Sequence, residues 1–135
     1  MRTNFLPGFR AAAIPVAASL AFQMLTSAPA MAQDPVKVDP QHYKVEFENS
    51  QVRVLRIHYG PHEKSVMHWH PGAVAVFLTD GHAQFTLPDG HTQPADFKAG
   101  VAQWTAPGKH LPENLGDKPF ELILVELKAK PTKAD

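Results

Sequence analysis

The sequence predicts an all-β protein, an antiparallel sandwich or barrel of short strands. Beyond residue 32, no segment keeps a helical period of apolar residues for about ten positions. Runs of strand length either alternate apolar and polar residues or are apolar throughout. Turn-forming pairs separate these runs at short intervals: Gly60-Pro61, Pro71-Gly72, Asp80-Gly81, Asp89-Gly90, Ala99-Gly100, Pro107-Gly108 and Gly116-Asp117.

We expect residues 1–32 to be a secretory leader rather than part of the fold. Arg2 and Arg10 precede the apolar stretch AAAIPVAASLAF, and Ala-Met-Ala at 30–32 is a small-x-small cleavage signal. A membrane anchor is the alternative, but a proline and polar residues interrupt a stretch that is already short for a bilayer span. Cleavage after residue 32 predicts a periplasmic or secreted protein without membrane attachment.

The remaining chain is long enough for one compact domain. We expect an extended arm over 33–42, where prolines are frequent and apolar residues few, a β-barrel domain over 43–128 and a polar tail over 129–135. Without Arg2 and Arg10, the thirteen Lys and Arg fall to eleven, against thirteen Asp and Glu. This balance offers no basic stripe for nucleic acid. The chain has no cysteine, which excludes disulfides, thiolate ligands and a cysteine nucleophile.

The first predicted strands lie at 43–47 and 51–59. YKVEF alternates, whereas QVRVLRIHY carries apolar residues on both faces, as a strand covered on both sides does. Such strands, together with the arm before them, indicate that one sheet face is covered by a second copy of the chain. We therefore expect a homodimer.

Further strands are predicted downstream. AVAVFLT (73–79) is continuously apolar, and HAQFTL (82–87) alternates. The Asp80-Gly81 pair between them predicts a hairpin. PFELILVEL (119–127) has apolar residues on both faces of the predicted strand, which is typical of a central strand in a two-layer β structure.

His68 and His70 are the first candidate metal ligands. Residues two apart on a strand share a face, so the two imidazoles can aim at one point while Trp69 faces away. A pair of surface histidines on an edge strand is the alternative. A metal site needs a third ligand from elsewhere, and His110 is the best candidate because it follows the strand-like VAQWT and the Pro107-Gly108 turn.

Together these residues resemble the two motifs of the cupin superfamily. The first reads Gly60, seven residues, His68-Trp69-His70, three residues, Val74, six residues and Gly81. The second reads Gly100, six residues, Pro107-Gly108, Lys109, His110, three residues and Asn114. The chain is similar to a small single-domain cupin over roughly Val45 to Leu127. The resemblance implies an antiparallel β-barrel, the double-stranded β-helix or jelly roll.

The sequence departs from the family pattern at three points. In the first motif, the spacing from Gly60 to His68 is two residues longer than in the family pattern. In the second, the spacing from Gly100 to His110 is one residue shorter. Both are changes in loop length. Where the family has a glutamate ligand, this chain has Val74, flanked by Ala73 and Ala75. The resemblance thus implies a three-histidine variant that lacks the glutamate. A barrel that has lost its metal is the alternative.

A shell of three neutral imidazoles leaves the ion its whole charge, which favours anionic, oxygen-chelating ligands. Three-histidine cupins include β-diketone-cleaving, gentisate-type and cysteine-type dioxygenases. The resemblance implies a divalent transition metal, with Fe(II) favoured and Zn, Ni, Mn and Cu as alternatives. The expected function is a mononuclear-metal dioxygenase acting on a small enolisable or dihydroxyaromatic substrate. The alternatives are a non-catalytic metal- or ligand-binding module and a metal-dependent lyase or isomerase.

The remaining histidines have weaker assignments. His42 lies in the arm, and His62 and His91 lie in turns, where solvated side chains are expected. His58 and His82 lie on predicted strands, where either could support a metal ligand.

Other residues near the candidate site are expected to play structural parts. Trp104, Phe77 and Phe85 are predicted to be core aromatics, of which one could line the pocket. Glu113 and Asn114 follow His110 closely; we expect them on a solvated loop, and contact with the rim of the site is the alternative.

Overall fold

The computed structural model of the chain describes residues 33–129; the predicted leader, residues 1–32, and nearly all of the predicted tail lie outside this range. The described residues form one short helix and nine strands, which confirms the all-β prediction. In chain order these are α1 Pro35–Val38, β1 Tyr43–Glu48, β2 Val52–Tyr59, β3 His68–His70, β4 Ala73–Phe77, β5 Gly81–Thr86, β6 Thr92–Phe97, β7 Ala102–Thr105, β8 Gly108–Asn114 and β9 Phe120–Leu127. At four residues, the helix is far shorter than a bilayer crossing requires.

The strands form two sheets with antiparallel pairing. One has the order β1-β2-β9-β4-β7 and the other β3-β8-β5-β6. β9 lies in the middle of the five-stranded sheet, as its apolar pattern predicts. Leu122 and Leu124 face the core at 8% and 4% exposure, while Ile123 and Val125 are half-buried on the opposite face. The two sheets enclose a core that also holds the candidate site.

The Asp80-Gly81 pair does not form the predicted hairpin. β4 pairs with β7 and β9, whereas β5 pairs with β6 and β8, so the chain crosses from one sheet to the other over 78–80. Gly81 sits where this crossing packs tightly, since a Cβ there would lie 2.9 Å from the Cβ of Phe120. The prediction was wrong because the same turn residues serve a hairpin and a crossing, and only long-range pairing separates the two.

Residues 33–42 are folded against the barrel, which corrects the expected extended arm. Helix α1 begins after Asp34, whose carboxylate accepts a hydrogen bond from a first-turn N–H at 3.1 Å, and Pro35 suits its first position. The chain then turns so that Asp39 and His42 are 5% and 3% exposed. The expectation of a solvated His42 was therefore wrong: its Nδ1–H donates to the Asp39 carboxylate at 2.7 Å. Local composition cannot reveal a docking contact of this kind.

The aromatic residues divide between the core and the surface. Phe77 is 4% exposed and stacks on Phe97 with ring centroids 4.3 Å apart, as expected of a core aromatic. Trp104 is 58% exposed, which corrects its assignment to the core. It stands on the outer face of β7, because Gln103 and Thr105 on the same strand face the interior cavity.

Candidate metal centre

The register of β3 and β8 brings the three candidate histidines together. His68 pairs directly opposite His110, and His70 lies two residues along the same strand, so the three side chains share a face. Their ring centroids are 4.8, 5.0 and 5.2 Å apart. His68 and His70 are buried, and His110 is half-buried. The two motifs, although distant in sequence, therefore meet in one cluster.

Hydrogen bonds fix which nitrogen of His68 and His70 points into the cluster. The Nδ1–H of His70 donates to Glu126 Oε1 at 2.6 Å, and the Nδ1–H of His68 donates to the carbonyl of Val66 at 2.8 Å. Both Nε2 atoms consequently carry a lone pair, and they lie 3.0 Å apart. Two facing lone pairs repel unless a cation lies between them, so the donor set fits a metal ion.

The separation of His68 Nε2 and His70 Nε2 is that of two ligands on one ion. Two nitrogens bonded at about 2.1 Å lie about 3.0 Å apart when the bonds are perpendicular and about 3.4 Å apart when they are tetrahedral. The His68–His70 distance matches the perpendicular case. The ligand atoms of all three histidines lie within 4.8 Å of one another.

Burial keeps two of the imidazoles in the form that binds metal. Desolvation by burial lowers the pKa of His68 to about 4. It also lowers the pKa of His110, to about 3. Neutral imidazole is the ligand form of histidine. Both rings therefore offer a lone pair at neutral pH without first losing a proton.

Glu126 supports His70 from β9 and was missed by the sequence analysis. It is 2% exposed, and its second oxygen accepts from Arg53 Nε at 2.6 Å. Arg53 in turn donates to Asp34 at 2.9 Å. Burial raises the pKa of Glu126, but the hydrogen bonds from His70 and Arg53 outweigh it and bring the pKa below its ordinary value. Glu126 shares the inward face of β9 with Leu122 and Leu124, and a carboxylate in that alternation was the signal that could have revealed it.

A pair of tyrosines closes the other side of the cluster. The Tyr43 hydroxyl lies 3.0 Å from His68 Nε2, to which it can only donate, and the Tyr59 hydroxyl donates to Tyr43 at 2.7 Å. The two residues are 2% and 1% exposed, and burial raises the pKa of both hydroxyls above the ordinary value. Neutral Tyr43 therefore competes for the lone pair that a metal would use.

The other histidines lie away from the centre. His62 and His91 are 63% and 82% exposed, as expected of solvated turn residues. His82 is 49% exposed and bonds Asp96, and His58 is exposed on the outer side of β2. Neither His58 nor His82 contacts the three clustered rings, so neither supports a ligand.

Asn114 is a structural residue rather than a solvated part of the rim. It is 1% exposed, and its amide donates to the carbonyls of Gly60 and Lys118 at 2.8 Å each. Its side-chain oxygen accepts from the N–H of Gly116 at 2.9 Å. The last residue of the second motif thus joins the segment after β2 to the turn between β8 and β9. Glu113 pairs with Lys64 at 3.1 Å, away from the cluster.

A cavity of about 230 Å³ opens beside His70 and His110. Phe85 lines it and contacts the His110 ring at 5.1 Å, which confirms the expectation that an aromatic residue borders the pocket. Val74, at the position aligned with the family glutamate, is half-buried on the outer face of β4. Ala75 is the β4 neighbour that lines the cavity. The strand therefore presents a methyl group, and no carboxylate, to the site.

Comparisons with known proteins agree with this architecture. No family model matches the sequence, and no curated protein is significantly similar to it. The chain is 26% identical to a cupin domain from Bordetella pertussis Tohama I, with a TM-score of 0.60 over 64% of this chain and 92% of that one. It is also similar in fold, at 20% identity, to an RmlC-like cupin with a double-stranded β-helix fold from Methanocaldococcus jannaschii, with a TM-score of 0.51 over 66% and 83%. By its sheet topology and these likenesses, the chain has the fold of the cupins, an antiparallel double-stranded β-helix.

Proposed function

We propose that this cupin binds one divalent transition metal through His68, His70 and His110 and takes a small oxygen-chelating ligand on the side that faces the cavity. The observation that carries the proposal is the pair of Nε2 lone pairs held 3.0 Å apart by bonds at both Nδ1 atoms. Tyr43 donates to the lone pair of His68, and a bound cation would satisfy both lone pairs at once. The cavity next to it provides room for a ligand.

The finer proposal is a mononuclear-metal dioxygenase. As Fe(II), the metal would supply Lewis acidity and the activation of dioxygen. The chain contributes the rest: Glu126 orients His70, and the apolar walls keep water from the bound substrate. No Asp, Glu or Lys among residues 33–129 lines the cavity to serve as a base. This lining suits a substrate that ionises as it chelates, such as an enolisable diketone or a dihydroxyaromatic.

The identity of the metal stays a prediction. Three neutral nitrogens and a cavity-facing side suit Fe(II), and Zn, Ni, Mn and Cu are accepted by the same ligand type. We propose that the protein is periplasmic or secreted, on the leader pattern of residues 1–32. In that compartment, zinc or copper would compete with iron by their stronger binding to nitrogen ligands.

Metal analysis of protein purified from its own compartment tests the centre. We expect one metal per chain in the wild type and less than a tenth of that in His70→Ala and His110→Ala. His82→Ala is the matched control, because His82 is also a strand histidine bonded to a carboxylate but lies outside the cluster. Full metal content in His70→Ala would overturn the proposed shell.

Oxygen uptake separates the enzyme from the alternative, a non-catalytic binding module. The module is favoured by Tyr43, whose hydroxyl occupies a ligand lone pair and adds no base. The iron-loaded protein is supplied with diketones and dihydroxyaromatics, and the zinc-loaded protein serves as the control. Uptake with iron alone supports the dioxygenase. One metal per chain with ligand binding but no oxygen uptake supports the non-catalytic binding module. Conversion of a substrate by the zinc-loaded protein without oxygen uptake would indicate a lyase or isomerase.

The predicted homodimer also stays a prediction. One apolar residue from each strand lies in cross-strand register on the outer face of the five-stranded sheet: Phe47, Val54, Val125, Val74 and Trp104. Phe47 and Trp104 are 53% and 58% exposed. Sedimentation velocity of the wild type and of Trp104→Ser measures whether this row holds two copies together.

A further inference from the structure

The walls of the cavity are aromatic next to the histidine cluster. Phe77 and Phe97 stack at 4.3 Å, and Phe120 lies edge-on to Phe97 at 5.5 Å. Phe85 continues this wall to the ring of His110, 5.1 Å away. A ligand held at the histidines therefore extends its body between phenyl rings, where a flat apolar group buries most area.

The lining holds no cation that could receive a second negative charge. Among residues 33–129, the side chains that border the cavity include no Lys, Arg, Asp or Glu. The nearby Arg53 is already bound to two carboxylates, at 2.6 and 2.9 Å. An unpaired carboxylate costs several kcal/mol in such surroundings. Within the buried, phenyl-walled part of the cavity, negative charge on a ligand is therefore stabilised only where it touches the metal.

Neutral polar groups lie at the exposed end of the cavity. Gln93 on β6 and Gln103 on β7 both border it and are solvent-exposed, while the phenyl rings form its buried part. Gln103 faces inward because it pairs with the cavity-lining Ala75. Each amide can donate and accept a hydrogen bond but carries no charge. The end of the ligand remote from the histidines can thus carry a hydroxyl, ether or carbonyl.

The volume limits the size of the ligand. A cavity of about 150 Å³ accepts benzene. The 230 Å³ at this site therefore accommodates one six-membered ring with small substituents, or a diketone of similar size.

Resting on the proposed metal centre, we infer that the ligand is a single small apolar body, one ring or a short diketone, whose only ionised group is the chelating pair of oxygens. A substrate whose carboxylate lies outside the chelating pair and within the phenyl-walled part does not fit, because that second charge has no partner there.

Calorimetric titration of the zinc-loaded protein tests the inference without turnover. The matched probes are 4-methylcatechol and 3,4-dihydroxybenzoate, which share the chelating head and differ by a methyl group against a carboxylate. We expect the methyl compound to bind at least tenfold more tightly. Equal or tighter binding of the carboxylate would overturn the inference while leaving the proposed centre intact. Failure of both probes to bind the zinc-loaded protein would overturn the proposed ligand site as well.

A positive charge introduced at the mouth should narrow the preference for 4-methylcatechol. Gln103→Arg places a cation beside the cavity and is expected to tighten 3,4-dihydroxybenzoate several-fold and leave 4-methylcatechol nearly unchanged. Ala102→Arg is the matched control, since the adjacent position on β7 faces the outer surface and adds the same net charge. Equal gains in both variants would mean that long-range attraction, and not the cavity, sets the preference, which contradicts the inference.

Discussion

Replacement of Glu126 by Gln should weaken metal binding while leaving the barrel folded. In the wild type, one oxygen accepts from His70 Nδ1 and the other from Arg53 Nε, both at 2.6 Å. Glutamine has a single acceptor oxygen. If that oxygen faces His70, the amide N–H₂ meets the N–H of Arg53. If the N–H₂ faces His70, the imidazole proton moves to Nε2 and removes the lone pair that would bind the metal.

The size of the effect follows from the bonds that are lost. Hydrogen bonds to a charged group contribute about 1.5–3 kcal/mol each. Groups that orient a metal-bound histidine typically change metal affinity about 10–100-fold, which corresponds to about 1.4–2.7 kcal/mol. Because Glu126 is 2% exposed, solvent cannot replace the lost bond. We therefore expect the Kd for zinc to rise about 10–100-fold in Glu126→Gln.

Competition with a chromophoric chelator at pH 7.5 measures the Kd directly. Glu121→Gln is the matched control, because Glu121 lies on the same strand and accepts from Arg56 at 2.8 Å but is 31% exposed. Its loss should leave the zinc Kd unchanged, since exposed ion pairs contribute about 0–1 kcal/mol. Circular dichroism of the metal-free variants checks that both are folded. A Glu126→Gln variant that binds zinc as tightly as the wild type would refute the orienting role.

Three further predictions concern stability. Gly81→Ala should lower the free energy of unfolding, measured in urea, by about 1–3 kcal/mol, because the new Cβ would lie 2.9 Å from Phe120. Gly108→Ala is the control: its Cβ would meet no atom within 4 Å, so the loss should be clearly smaller. Asn114→Ala removes three hydrogen bonds and should cost about 3 kcal/mol by the same measurement; a loss below about 1 kcal/mol would show that the bonds are dispensable. The metal-free protein should lose stability as the pH falls. In the folded chain the pKa values of His68 and His110 are about 4 and about 3, below the ordinary value for histidine. Between about pH 6.5 and 4, the unfolded chain therefore binds protons at these residues that the folded chain does not. In thermal unfolding with a chelator present, the contribution of these two histidines to Tm should be constant above pH 7, and Tm should fall below pH 7. The fall of Tm with pH should be less steep in His110→Ala.

Part of the site could be predicted from the sequence because strand geometry is local. Alternation along a strand requires that His68 and His70 share a face, whatever the rest of the chain does. The turn pairs and short apolar runs likewise predict a β protein, and the motif spacing identifies His110 as the third member. These features depend only on neighbouring residues or on a pattern typical of the family.

The groups that support the histidines could not be found in this way. Glu126 lies 56 residues from His70 in the chain and meets it because β9 pairs with β4. Tyr43 lies 25 residues from His68 and meets it across the barrel. His42 is buried because the segment that begins with α1 packs against the barrel. The proline-rich sequence around His42 does not predict this packing.

The direction of a side chain was the other quantity that the sequence left undecided. Alternation separates the two faces of a strand, but in AVAVF and AQWT it does not say which face is inside, because both carry apolar or small residues. The sequence by itself therefore determined the strands, the fold class and the three histidines, since these follow from short-range periodicity and spacing. Tertiary structure alone decided that Ala75 lines the cavity, that Trp104 faces solvent and that a buried carboxylate orients His70, because each depends on which strands pair across the barrel.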